Sequence, residues 1–195
     1  AIEIFDITDP LYPKITSQAI FKNGDINSIA YKQGKLYDAG AFDIDNEPGI
    51  KTAAQLIVVS VGNGSFTSDF LKFDIEGWAA VDVSPTENGV IVASGSNGLV
   101  GLFDSKGQMN GEFPLTDLRS VKYGNGVIGA LSGTEGIKIL DPSSLKVISS
   151  INLEKDIAES KRTLDMSPGL MFASEGPKGV GIYSIEKGSI LQRLS

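Results

Sequence analysis

The chain has 195 residues, 41% of them hydrophobic and 21% charged, which suits a globular protein with a sizeable core. A net charge of −7 offers no basic surface for nucleic acid, and no apolar run approaches the ~18 residues that span a bilayer. Cysteine and histidine are both absent, which removes disulfides, the usual serine triad and the common zinc sites.

In chain order, the sequence reads as short β-rich runs set off by turn residues. Residues 1–24 hold two such runs, Ile2-Glu3-Ile4-Phe5-Asp6 and Ile15 to Ile20. From residue 25 a unit of four runs begins and then recurs, as 25–76, 77–116, 117–153 and 161–195. The third complete unit shows the pattern well. Arg119 to Tyr123 turns at Gly124-Asn125-Gly126 into Val127 to Leu131, which turns at Gly133 to Gly136 into Ile137 to Asp141, and Pro142-Ser143-Ser144 leads to Val147 to Ile151. Four strands in about 40 residues is the period of a β-propeller blade. No unit holds an amphipathic run long enough for a helical repeat.

The expected fold is therefore an all-β propeller of four complete four-stranded blades, preceded by the two outer strands of another. Since a ring needs the inner strands of that first blade, the chain is expected to be the C-terminal part of a six- to eight-bladed propeller. The remaining blades would lie upstream, on this chain or another. An opening directly in an apolar strand suggests that any signal peptide lies outside this sequence.

Residues Ile4-Phe5-Asp6-Ile7-Thr8-Asp9-Pro10-Leu11-Tyr12-Pro13 resemble the LVIVD-repeat family of bacterial and archaeal propellers. In that family a hydrophobic strand ends in Asp, then Ser/Thr-Asp/Asn-Pro, two residues and Pro. The match is good over the first 40 residues. Later units keep only part of it, in Phe103-Asp104 and Leu140-Asp141-Pro142, and Tyr183-Ser184 has lost the Asp. The resemblance implies a propeller that is exported to the periplasm or cell surface, in the manner of a surface lipoprotein. Such proteins mostly lack an assigned activity.

Function is expected on the face reached by the fourth-to-first and second-to-third loops. The two long departures from the repeat, residues 41–53 and 154–162, both fall there. Aligning the entrances to the first strands puts Asn27, Ala79, Arg119 and Arg162 together, with Trp78 beside them. Two converging guanidinium groups suit a carboxylate, phosphate or sulfate, and Trp78 suits a sugar ring or a cation. The competing reading pairs the arginines with Asp117, Glu159 or Asp156 and uses Trp78 to cap the core. Asp43, Asp45 and Glu47 form an acidic cluster whose hard oxygen ligands suit calcium, although the spacing is not that of an EF-hand. An acidic loop in solvent accounts for the same residues.

Asp82 and Asp165 occupy similar inner-strand places and could serve as an acid–base pair, or bond neighbouring turns. The leading expectation is a non-catalytic binding or scaffold propeller recognising a protein or glycan. The alternative is a propeller enzyme, lactonase-like or a polysaccharide lyase, with its site at the channel mouth.

Overall fold

The structure is a computed structural model that describes residues 1–22, 24–43, 52–95, 98–153, 162–186 and 189–193, with the side chains of 43, 186 and 189–192 left aside. Among the described residues it is all-β, apart from one turn of 3₁₀ helix at Gly176–Lys178. Strands β1 (Ile2–Asp6) and β2 (Lys14–Ala19) form a two-stranded sheet. The first complete blade comprises β3 (Gly24–Lys32), β4 (Lys35–Asp43), β5 (Thr52–Gly62) and β7 (Leu71–Ile75), with a two-residue β6 (Ser65–Phe66) folding back on the end of β5. The second is β8 (Ala80–Pro85), β9 (Gly89–Ser94), β10 (Leu99–Asp104) and β11 (Met109–Pro114). The third is β12 (Leu118–Gly124), β13 (Val127–Ser132), β14 (Gly136–Leu140) and β15 (Val147–Ile151). The fourth is β16 (Leu164–Ser167), β17 (Leu170–Ser174), β18 (Val180–Glu186) and β19 (Ser189–Arg193). Every neighbouring pair is antiparallel in sequence order, giving the meander of a blade four times over.

Local chemistry sets these hairpins. Lys32↔Lys35 and Gly124↔Val127 are closed by two-residue turns, Gln33-Gly34 and Asn125-Gly126, with positive φ at both central residues. That is the twist a tight hairpin requires. At the third-to-fourth turns an aspartate closes the loop instead. The Asp6 carboxylate accepts the Thr8 N–H at 2.9 Å and hydroxyl at 2.6 Å. Asp104 accepts the N–H groups of Lys106 and Gln108 at 2.8 and 2.9 Å. Asp141 accepts four bonds from Ser143 and Ser144. These hydroxyl bonds, Ser143 first, hold the Asp141 carboxyl down at about 2.

The sheets stack face to face through four apolar layers. Ile2, Leu36 and Val59 pack the two-stranded sheet on the first blade, with Phe21, Phe66 and Phe70 around them. The layers between successive complete blades centre on Leu56 and Val92, on Ile91 and Ile128, and on Ile139 and Met171. The second strands β9 and β13 are buried on both faces, so they read as apolar runs rather than alternation.

Two irregularities repeat. The first strand bulges against the second between Ile26 and Ser28, Ala80 and Asp82, and Leu118 and Ser120. The third strand bulges against the fourth between Ile4 and Phe5, Leu102 and Phe103, Ile139 and Leu140, and Ser184 and Ile185. The second series identifies β1 and β2 as a third and fourth strand. The loop expected over 41–53 is corrected at both ends, because β4 runs to Asp43 and β5 starts at Thr52, with Asp43 opposite Thr52. Residues 44–51, including Asp45 and Glu47, lie outside the described residues, as do 154–161.

Candidate functional site

The loops expected to carry function are tied tightly to the sheets below them. Ala54 N–H donates to the Gly77 carbonyl at 2.9 Å, and Gly95 N–H donates to the Ala79 carbonyl at 3.2 Å. The Ser94 hydroxyl donates to the Glu76 carbonyl at 2.7 Å. Trp78 thus stands on backbone pinned on both sides, with Ala79 buried beneath, yet the indole is 63% exposed. The next blade repeats the fastening, with the Ser132 hydroxyl donating to the Thr116 carbonyl at 2.6 Å and Gly133 N–H to the Asp117 carbonyl at 2.9 Å.

These bonds also fix the register between blades. Ser174 N–H donates to the Thr163 carbonyl as Gly95 does to Ala79 and Gly133 to Asp117. Arg162 therefore matches Trp78 and Thr116, while Arg119 matches Val81 and Asn27 inside the first-strand bulge. The expected equivalence of Asn27, Ala79, Arg119 and Arg162 is corrected: a bulge residue shifts the frame within a blade, and sequence spacing alone does not mark it.

Each predicted residue has its own surroundings. Asn27 donates from its amide to the Ala80 carbonyl of the next blade at 2.8 Å. Arg119 forks onto Asp117, with Nε on Oδ1 at 2.7 Å and a terminal nitrogen on Oδ2 at 3.1 Å. Arg162 is buried, at 3% exposure, and so offers little surface to a ligand from solvent. Asp43 ends β4, and no group of three or more metal-ligating side chains occurs among the described residues.

Asp82 is a cross-blade staple. Its carboxylate accepts the Ser28 hydroxyl of the preceding blade at 2.8 Å and the Ser120 hydroxyl of the following blade at 2.6 Å. It also accepts the Val121 N–H at 3.0 Å and the Lys122 ammonium at 2.9 and 3.0 Å. With both oxygens engaged, Asp82 is an anchor rather than a free base. Asp165 holds the corresponding place in β16 but is exposed, bonding only the next N–H, that of Met166, at 2.9 Å. The two are thus not brought together as a catalytic pair.

Two clusters were not singled out from sequence. Glu175 is buried at the second-to-third loop of the fourth blade, where it accepts the Tyr183 hydroxyl and the Arg193 guanidinium, the latter at 2.8 Å. Burial, reinforced by Glu175, pushes the Tyr183 phenol up to about 12, so it is a donor at neutral pH. The other is Asp38 in β4, 1% exposed. Neither of its carboxylate oxygens has a hydrogen-bond partner, and the Gln55 Oε1 on the same face of the blade has none either. Burial lifts Asp38 to about 7, against a smaller opposing pull from the Ala1 amino group.

No family model and no curated protein sequence matches the chain. Solved β-propeller structures do match it. A chain of the mitotic checkpoint complex aligns at TM-score 0.67 and 8% identity, over 96% of this chain and 57% of that one. The computationally designed Ika4 protein aligns at 0.62 and 12%, over 87% of this chain and 96% of that one. BamB from Moraxella catarrhalis aligns at 0.59 and 15%, over 80% and 42%.

The fold is a β-propeller. The chain spans about half the length of the mitotic checkpoint and BamB chains. Likeness at such identity speaks for the architecture alone.

Proposed function

We propose that the chain is a binding or scaffold propeller that meets a protein or glycan on the face bearing Trp78. The observation that carries this reading is a lone tryptophan, 63% exposed, on backbone bonded to two sheets. A large exposed aromatic on a rigid support loses little conformational entropy when covered, which is how binding hot spots are built. The Asp117–Arg119 fork beside the next first strand adds a polar rim. Asp82, the best-placed carboxylate for acid–base work, is engaged by three blades, which favours binding over catalysis. The resemblance of residues 4–15 to LVIVD repeats supports export to the periplasm or cell surface.

Trp78 is the only tryptophan, so its fluorescence reports this face alone. Titration with the oligosaccharides and envelope proteins of the source cell is expected to shift that emission for one class. Trp78→Ala is expected to abolish capture of the same ligand while leaving the urea midpoint unchanged. Ligand capture undiminished in Trp78→Ala would sink the reading.

A further inference from the structure

The face of the first blade turned toward β1 departs from every other interface in the molecule. In the second and third blades the residues facing the preceding blade are closed in: Val83 and Val121 on the first strands are 1% and 0% exposed. Their counterpart in β3, by register against the second strand, is Ile29, which is 54% exposed, and Tyr31 two residues on is 61% exposed. Phe5 of β1, beside them, is also exposed. What covers Val83 and Val121 is the first and second strand of the blade before. Among the described residues the sheet ahead of β3 holds β1 and β2, and β1 pairs with β2 alone. Its inner edge presents unpaired backbone groups next to an open cleft lined by Glu3, Phe5, Ile26 and Ile29.

The same face carries an unusual substitution. Opposite Val83 and Val121 stand Val92 and Ala130, both fully buried, and opposite Ile29 stands Asp38. One blade thus places a carboxylate where the others place an apolar side chain. Both its oxygens lack a partner, as does Oε1 of Gln55, whose amide nitrogen is spent on Asp74 at 2.7 Å. Buried acceptors without donors are costly, and three on one face point to a donor that belongs there. We propose that the cleft between β1 and β3 receives an antiparallel β-ribbon, the first and second strands of a propeller blade, carrying a lysine or arginine aimed at Asp38. Strand pairing to β1 supplies affinity, and the buried carboxylate selects ribbons bearing that cation. An acidic chain of net charge −7 suits a basic insert.

The molecule contains a template for the insert. Ile91 and Ala93 of β9 pack in the same layer as Ala130, the counterpart of Asp38, so they mark where the cation would project. The test joins a copy of residues 79–98 ahead of Ile2, with residues 2–195 otherwise kept, once unchanged and once with the added copy's Ala93→Lys. Each is combined with Asp38→Asn in the host, in a double-mutant cycle. Urea unfolding, hydrogen exchange of the β1 amides and light scattering are measured on all four. The lysine ribbon is expected to raise the folding equilibrium constant at least tenfold over the alanine ribbon. Asp38→Asn is expected to cut that advantage below threefold, and the β1 amides not bonded to β2 become protected in a monomer. Equal stability of the two ribbons, or an advantage that survives Asp38→Asn, overturns the proposal. So does β1 protection found only in a dimer, which would make a second copy the occupant.

Discussion

Replacing Asp38 by valine restores the kind of residue that stands at its register in the next blade, Val92. In the parent, an exposed aspartate titrates near 3.8 and folded Asp38 near 7. Between those values the folded state holds a proton that the unfolded chain has released, so stability falls as pH rises through this window. At ~1.4 kcal/mol per pH unit, the loss reaches about 4 kcal/mol by pH 8. Well below pH 3.8 the acid is neutral in both states, and the variant gains only the ~1–3 kcal/mol of no longer burying unpaired polar atoms. The groups around Asp38 are apolar or neutral, Ile29 on β3 and Ile57 and Gln55 on β5, apart from the Ala1 amino group, which limits the effect. Urea unfolding of parent and Asp38→Val at pH 4, 5, 6, 7 and 8 should show curves that separate steadily with pH, the variant being the more stable throughout. A difference that stays constant across this range, or a variant weaker than the parent at pH 8, would refute the buried, unpaired carboxylate.

Asp82→Ala leaves the Lys122 ammonium and the hydroxyls of Ser28 and Ser120 without their shared acceptor. Stability should fall by about 3 kcal/mol or more, read as a lower urea midpoint. Asp141 is held near 2 in the fold, so its contribution is complete above pH 4 and disappears as pH falls toward 2. Asp141→Ala should therefore flatten the acid limb of the stability curve over that interval. Gly126 sits at φ 74° with open space where a Cβ would go. Gly126→Ala should cost about 1 kcal/mol from left-handed strain alone, with strand register preserved by amide exchange.

The architecture was legible because its determinants are local. Asn125-Gly126 and Gln33-Gly34 announce hairpins, and Asp6, Asp104 and Asp141 announce the third-to-fourth turns. Continuous apolar runs such as Val90 to Ala93 announce strands buried on both faces. What escaped was whatever depends on register. The bulges at Asn27, Val81 and Arg119 leave no mark in composition, so spacing alone aligns Arg162 with Arg119, whereas the backbone bonds match it to Trp78. The ends of β4 and β5 read as an inserted loop because Phe42-Asp43 and Thr52-Ala53 pair only once the hairpin has formed. Asp38 carries no mark in the sequence, since its lack of a partner exists only in three dimensions. Trp78 could be picked out as the lone tryptophan, but its exposure could not.

The carboxylate of Asp82 also bears on how the chain comes apart. Repeat proteins coupled only through nearest neighbours lose terminal units piecemeal. A single acceptor bonded to Ser28, Ser120 and Lys122 makes three consecutive blades one cooperative block. The fourth blade, where Asp165 at the same register is turned to solvent, is tied in through Ser120 itself, whose oxygen accepts the Leu164 N–H at 3.3 Å, and through the Asn125 amide, which donates to the Ser167 carbonyl at 2.9 Å. Local opening at any one of these blades therefore has to break a bond held by its neighbours, and loss of the single Asp82 carboxylate would uncouple them together.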